Sequence, residues 1–65
     1  MKQRLGKNIK KFRTDKHISQ ETLCKIIGIT KRHLIRVEKG EVDPSFSLIQ
    51  KISKALSVSI DNLGK

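Results

Sequence analysis

Sixty-five residues with an apolar fraction of 35%, mostly Ile, Leu and Val, suffice for one small core and a single domain over residues 1–65. A net charge of +9 and a pI near 10.2 give the surface a positive field that draws polyanions, nucleic acid ahead of anionic membrane. The lone Cys24 excludes an internal disulfide, and the wide separation of His17 and His33 lacks zinc-site spacing, so neither metal nor cofactor is expected.

The apolar pattern is helical throughout, and nothing reads as a strand. Leu5, Ile9 and Phe12 recur at i, i+4 and i+7, one stripe of a first helix, while Lys2, Arg4, Lys7, Lys10, Lys11 and Arg13 populate its other face. Met1 and the two Phe residues signal packing and nothing more. Thr14 to His17 form a polar connection. Ser19 is placed to cap a second helix, with Glu21 in the first turn and Leu23, Ile26 and Ile27 as its buried stripe. Gly28 can end that helix in a left-handed conformation, and Thr30 can cap a third helix running to about Lys39, where Gly40 stops it. Two short helices across a tight glycine-containing turn are the mark of a helix-turn-helix. Glu41 to Pro44 are loop, because the proline holds Asp43 out of helical geometry. Ser45 caps a fourth helix with the stripe Leu48, Ile49, Ile52, Ala55 and Leu56. Ser59 caps a final turn or short helix bearing Ile60 and Leu63, with Val58 just ahead of it.

The third helix has two unlike faces. At roughly 100° per residue, Leu34 and Val37 point together, while Arg32 and Arg36 lie one turn apart on the opposite side, flanked by Lys31, Ile35 and Lys39. Lys31 and Arg32 stand in the first turn, where the helix dipole disfavours cations by about 0.3–1 kcal/mol each. A local rule broken without local compensation points to a binding role. Lys31, Arg32 and Arg36 therefore give this helix a cationic, donor-rich face, a candidate site for a polyanion. Ser19, Thr30, His33 and Lys39 are candidates for backbone or mixed contacts with it. Glu38 lies beside the buried stripe and needs a cation; Arg13, at the end of the first helix, can supply it as a structural ion pair. Cys24 reads as a small packing residue that lets the two helices approach. No glycine-rich phosphate loop, nucleophile elbow or paired catalytic carboxylates occur, so no enzymatic activity is expected.

The ordered series Ser19-Gln20-Glu21-Thr22-Leu23-Cys24, Gly28-Ile29-Thr30, Leu34-Ile35-Arg36-Val37-Glu38-Lys39-Gly40 and Pro44-Ser45 resembles the Cro/phage-repressor (Xre-type) helix-turn-helix family. The resemblance covers about residues 5 to 63. It implies an all-α, compact, five-helix lambda-repressor-like domain whose third helix enters the major groove. It also implies that Gln20 contacts the DNA backbone, that Lys31, Arg32 and Arg36 face the bases, and that Arg13 and Glu38 form the family's buried pair. Cys24 stands where an alanine is usual, and Lys31, Arg32 and Ile35 stand where many members carry glutamine or serine. Base preference therefore does not transfer from relatives. The run Leu34 to Glu41 further resembles the DNA-binding end of peptide-responsive regulators with a large helical-repeat receptor domain. That implies a C-terminal regulatory domain and a peptide effector, which would suit the abrupt Leu63-Gly64-Lys65 ending.

The expected function is sequence-specific DNA binding in transcription regulation, as a homodimer on DNA that is weakly associated without it. Ile60, Leu63 and Phe46 are the candidates for the dimer contact. The alternative is an antitoxin-like protein-interaction module that also binds DNA. Single-stranded RNA is disfavoured by the absence of Trp and Tyr for base stacking. No apolar run spans a membrane and no signal-peptide segment follows Met1, so a cytoplasmic location is expected.

Overall fold

The computed structural model describes residues 2–65; Met1, expected to pack, lies outside them, as does the side chain of Lys2. The helices are α1 (Lys2–Asp15), α2 (Gln20–Ile27), α3 (Lys31–Glu38), α4 (Phe46–Leu56) and α5 (Ile60–Gly64), with no strand among the described residues. This is the five-helix lambda-repressor-like arrangement.

Helix starts follow one rule. The hydroxyls of Ser19, Thr30, Ser45 and Ser59 accept from the backbone N–H three residues on, at Thr22, His33, Leu48 and Asn62, over 3.0–3.2 Å. Each bond satisfies a donor that the first helical turn leaves free.

Helix ends follow another. After α1, Ile18 N–H donates to the Arg13 carbonyl and His17 N–H to that of Thr14, with His17 left-handed at φ 59°. The same pair of bonds closes α3, from Glu41 to Arg36 and from Gly40 to Val37, and α4, from Val58 to Ser53 and from Ser57 to Lys54. This is the Schellman closure. Gly28 ends α2 with φ 76° and bonds from Gly28 and Ile29 N–H to the Cys24 carbonyl. The first closure corrects a boundary: Thr14 and Asp15 are helical, since the turn falls at Lys16 and His17.

The core comprises Ile9, Leu23, Cys24, Ile27, Leu34, Val37, Leu48, Ile52, Leu56 and Leu63. α1 packs on α3 and α5, and α2 on α3 and α4. Three expectations fail here. Ile26 is 58% exposed. The buried stripe of α2 is Leu23, Cys24 and Ile27, and at roughly 100° per residue its centre lies more than a quarter-turn from Ile26. Phe46, read first as a packing residue and then as a candidate for the dimer contact, does not pack: it is 63% exposed at the start of α4. Leu63, a candidate dimer residue, is fully buried, because α5 folds back onto α1 and Asn8 Nδ2 donates to the Leu63 carbonyl at 2.9 Å.

Gly6 decides how closely α1 crosses α3. A Cβ there would overlap the Val37 carbonyl oxygen and stand 2.7 Å from that of Glu38. The first helix thus lies directly on the backbone at the end of the third, a contact no other residue allows.

Candidate nucleic-acid interface

α3 is held at one end and free at the other. Leu34 and Val37 are buried, and Gly6 presses on the last carbonyls. Glu38 is 7% exposed and is met by two elements. Arg13 Nε donates to its Oε2 at 2.7 Å and Nη2 to its Oε1 at 3.3 Å, while Gln20 Nε2 donates to Oε1 at 3.0 Å. Arg13 Nη1 also donates to the Ile18 carbonyl at 2.8 Å. One guanidinium therefore links α1, the turn before α2 and α3. Arg13 is thus the expected partner of Glu38 and, at 7% exposure, leaves the cationic outer face of α1 with which the sequence also groups it. A charge pair this dry persists because nearly every donor and acceptor has a partner.

At the other end, Lys31, Arg32 and His33 are exposed, with no acid in the first turn. Arg36 continues this face one turn on, with its side chain half open to solvent. Thr30, Arg32, His33, Arg36 and Val42 line a shallow concavity of about 280 Å³. The fold thus brings Arg32, Arg36 and His33 together and leaves Lys31 outside that concavity, exposed at the edge of the face. Lys39 is exposed beyond the helix end.

Several candidate contact groups already have intramolecular duties. Ser19 Oγ accepts from Thr22 N–H and donates to Thr22 Oγ1 at 2.9 Å. Thr30 Oγ1 accepts from His33 N–H. The Gln20 amide nitrogen is committed to Glu38, so Gln20 joins the anchor of α3 as well as the start of α2. Burial, then the nearby Glu38 carboxylate, pushes the Cys24 thiol up from its ordinary 9.0, so it stays protonated at neutral pH and packs as a small apolar group.

Sequence reasoning missed Gly6, Asn8 and Glu41. Gly6 gives no signal in a helical pattern except its poor helix propensity. Glu41 carries one: it follows the stop glycine, and a Schellman closure returns that residue to the helix five positions earlier, at Arg36.

Among the described residues, no group of three or more His, Cys, Asp and Glu side chains could hold a metal ion. No helix among the described residues is long and apolar enough to cross a membrane.

A short helix braced from behind, capped ahead and cationic on its open face defines a helix-turn-helix domain. The helix-turn-helix family model HTH_3 matches residues 9–63. An uncharacterized HTH-type transcriptional regulator from Methanocaldococcus jannaschii is 36% identical over 55 residues, covering 85% of this chain and 83% of that protein. Among solved structures, the restriction-modification controller protein C.AhdI from Aeromonas hydrophila is similar at a TM-score of 0.90 and 31% identity, covering 95% of this chain and 94% of that one. The competence regulator ComR from Streptococcus vestibularis gives 0.87 and 40% identity, covering 95% of this chain but 21% of its own. The chain belongs to the helix-turn-helix family of transcriptional regulators, of the Xre/Cro type.

Proposed function

We propose that this chain regulates transcription by reading double-stranded DNA through α3 as a homodimer. The carrying observation is the exposed row Lys31, Arg32 and Arg36 on a helix whose opposite face is buried. Arginine and lysine pair best with O6 and N7 of guanine, so Lys31, Arg32 and Arg36 read bases and each half-site contains a G·C pair. Ser19, Gln20, Thr30, His33 and Lys39 make backbone or mixed contacts. The domain measures 24 × 22 × 20 Å, too small to reach two major grooves about 34 Å apart, so two half-sites take two copies. Phe46 and Ile60, 63% and 37% exposed, supply the apolar dimer contact. With Leu63 buried that contact is small, so dimerisation depends on DNA. A cytoplasmic location accompanies this reading. A further C-terminal regulatory domain with a peptide effector is part of the same proposal; the competence regulator ComR, of which this chain spans 21%, is a much longer chain.

The test is selection from a random duplex library, followed by titration of the selected palindrome and of random DNA. Arg36→Ala should cost about 1–3 kcal/mol on the preferred site and relax preference at one base pair. Equal loss on both duplexes would make Arg36 a phosphate contact. Each domain should give a log–log salt slope of about −3 to −5; a slope near zero would overturn DNA binding. Sedimentation should find monomer alone and two copies per palindrome.

A further inference from the structure

Glu41 is an acid placed beside the cationic face of α3 in a chain with net charge +9. Its Oε1 lies 3.5 Å from Arg36 Nε, both side chains being about half exposed. An exposed pair held only by its own side chains contributes little, because ordering two long chains offsets the attraction. Here the backbone performs part of that ordering. Glu41 N–H donates to the Arg36 carbonyl at 3.0 Å, closing the Schellman turn. That turn requires Gly40 at φ 76°, and Gly40 is packed so tightly on α1 that a Cβ would stand 2.8 Å from Gln3 Cα. The carboxylate is thus mounted on a fixed turn beside the guanidinium.

The choice of atom matters. A guanidinium can offer two parallel N–H donors from its Nε side or from its Nη1/Nη2 end. Nε is the guanidinium atom nearest Glu41, at 3.5 Å, which leaves the Nη1/Nη2 end for a ligand. A guanine edge presents O6 and N7 as two adjacent acceptors and accepts such a fork. A single phosphate contact has no comparable demand for orientation.

We infer that Glu41 is a specificity-determining positioning residue: held by the turn at Gly40, it fixes the Arg36 guanidinium with its Nη1/Nη2 end presented to a guanine. The inference rests on the proposed base-reading role of Arg36. Glu41 itself touches no base. Its charge opposes the phosphates, so it lowers affinity for all DNA while sharpening the choice among sequences.

The two effects separate in one experiment. Binding is measured by anisotropy on the selected palindrome, on the same duplex with the Arg36-dependent G·C pair replaced, and on random DNA. The chains compared are wild type, Glu41→Gln, Glu41→Asp, Arg36→Ala and Arg36→Ala/Glu41→Gln. Glu41→Gln should tighten random binding and reduce discrimination at that pair about three- to tenfold. Glu41→Asp keeps the charge but shortens the reach, so it should lose similar discrimination without the gain on random DNA. In the Arg36→Ala background Glu41→Gln should leave discrimination unchanged. Equal tightening on all three duplexes, or loss of discrimination that persists without Arg36, would overturn the positioning role. If Arg36→Ala alone leaves discrimination intact, the base-reading role of Arg36 fails, and this inference falls with it. Thermal unfolding of each variant should give the wild-type midpoint; a discrimination loss that follows a lowered midpoint would be damage to the fold and would overturn the positioning role.

Discussion

The two ends of α3 differ in almost every physical respect, although the helix is only eight residues long. Its C-terminal end is dry and crowded: Gly6 presses on its carbonyls, Arg13 and Gln20 hold Glu38, and Gly40 turns the chain against Gln3. Its N-terminal end is wet and open, with Thr30 as cap and Lys31, Arg32 and His33 exposed. Such a helix presents its cations from a fixed position because its other end has nowhere to move. The anchor carries the stability, and the open end gives up some stability for charge.

Removing the cation from the anchor should have the largest effect. Arg13→Ala strands the Glu38 carboxylate with only Gln20 beside it, a loss of about 3–5 kcal/mol. That rivals the whole stability expected of a core this small, so the circular dichroism spectrum of the variant should be largely that of an unfolded chain. Replacing both members, Arg13→Met with Glu38→Leu, should restore the fold, because no uncompensated charge remains. An unchanged denaturation midpoint in the single variant would show that the anchor lies elsewhere.

Crowding the same end without touching its charges comes next. Alanine is the better helix former by about 1 kcal/mol, so propensity alone favours Gly6→Ala. The overlap with the Val37 and Glu38 carbonyls should reverse that sign, with a net loss of about 1–3 kcal/mol in urea unfolding. A more stable variant would mean that α1 can lift off α3 at little cost.

The smallest effect is expected at the open end, with the opposite sign. Lys31→Glu places an acid in the first turn of α3 and should raise stability by about 0.3–1 kcal/mol. For so small a domain that is an increase in Tm of a few degrees. The same change should abolish tight DNA binding. Loss of stability and binding together would indicate that Lys31 supports the fold, and the contrast between the two ends would disappear.

Much of this organisation was legible in the chain. Ser19, Thr30, Ser45 and Ser59 announced four helix starts, Gly28 and Gly40 two helix ends, and the stripes ending in Leu56 gave the core faces. The cationic face of α3 followed from spacing alone. The exposure of Ile26, by contrast, was a choice between two flanks of one stripe, and the placement of α3 and α4 against α2 settled it in favour of Cys24. His17 and Ser57 gave no warning either, since neither is a residue that favours a positive φ as glycine does.

The amino-acid sequence by itself determined what depends on neighbours within about one helical turn: caps, stops, amphipathic stripes and the misfit of Lys31 and Arg32 with the helix dipole. Only the tertiary structure decided what depends on how distant helices cross. Asn8 ties α1 to a carbonyl 55 positions away, and Gln20 turns from its own helix towards Glu38. Gly6 owes its role to the carbonyls of another helix rather than to α1. Periodicity fixes which face of a helix is apolar; the depth and angle at which that face meets its partners come from the packing of all five helices at once.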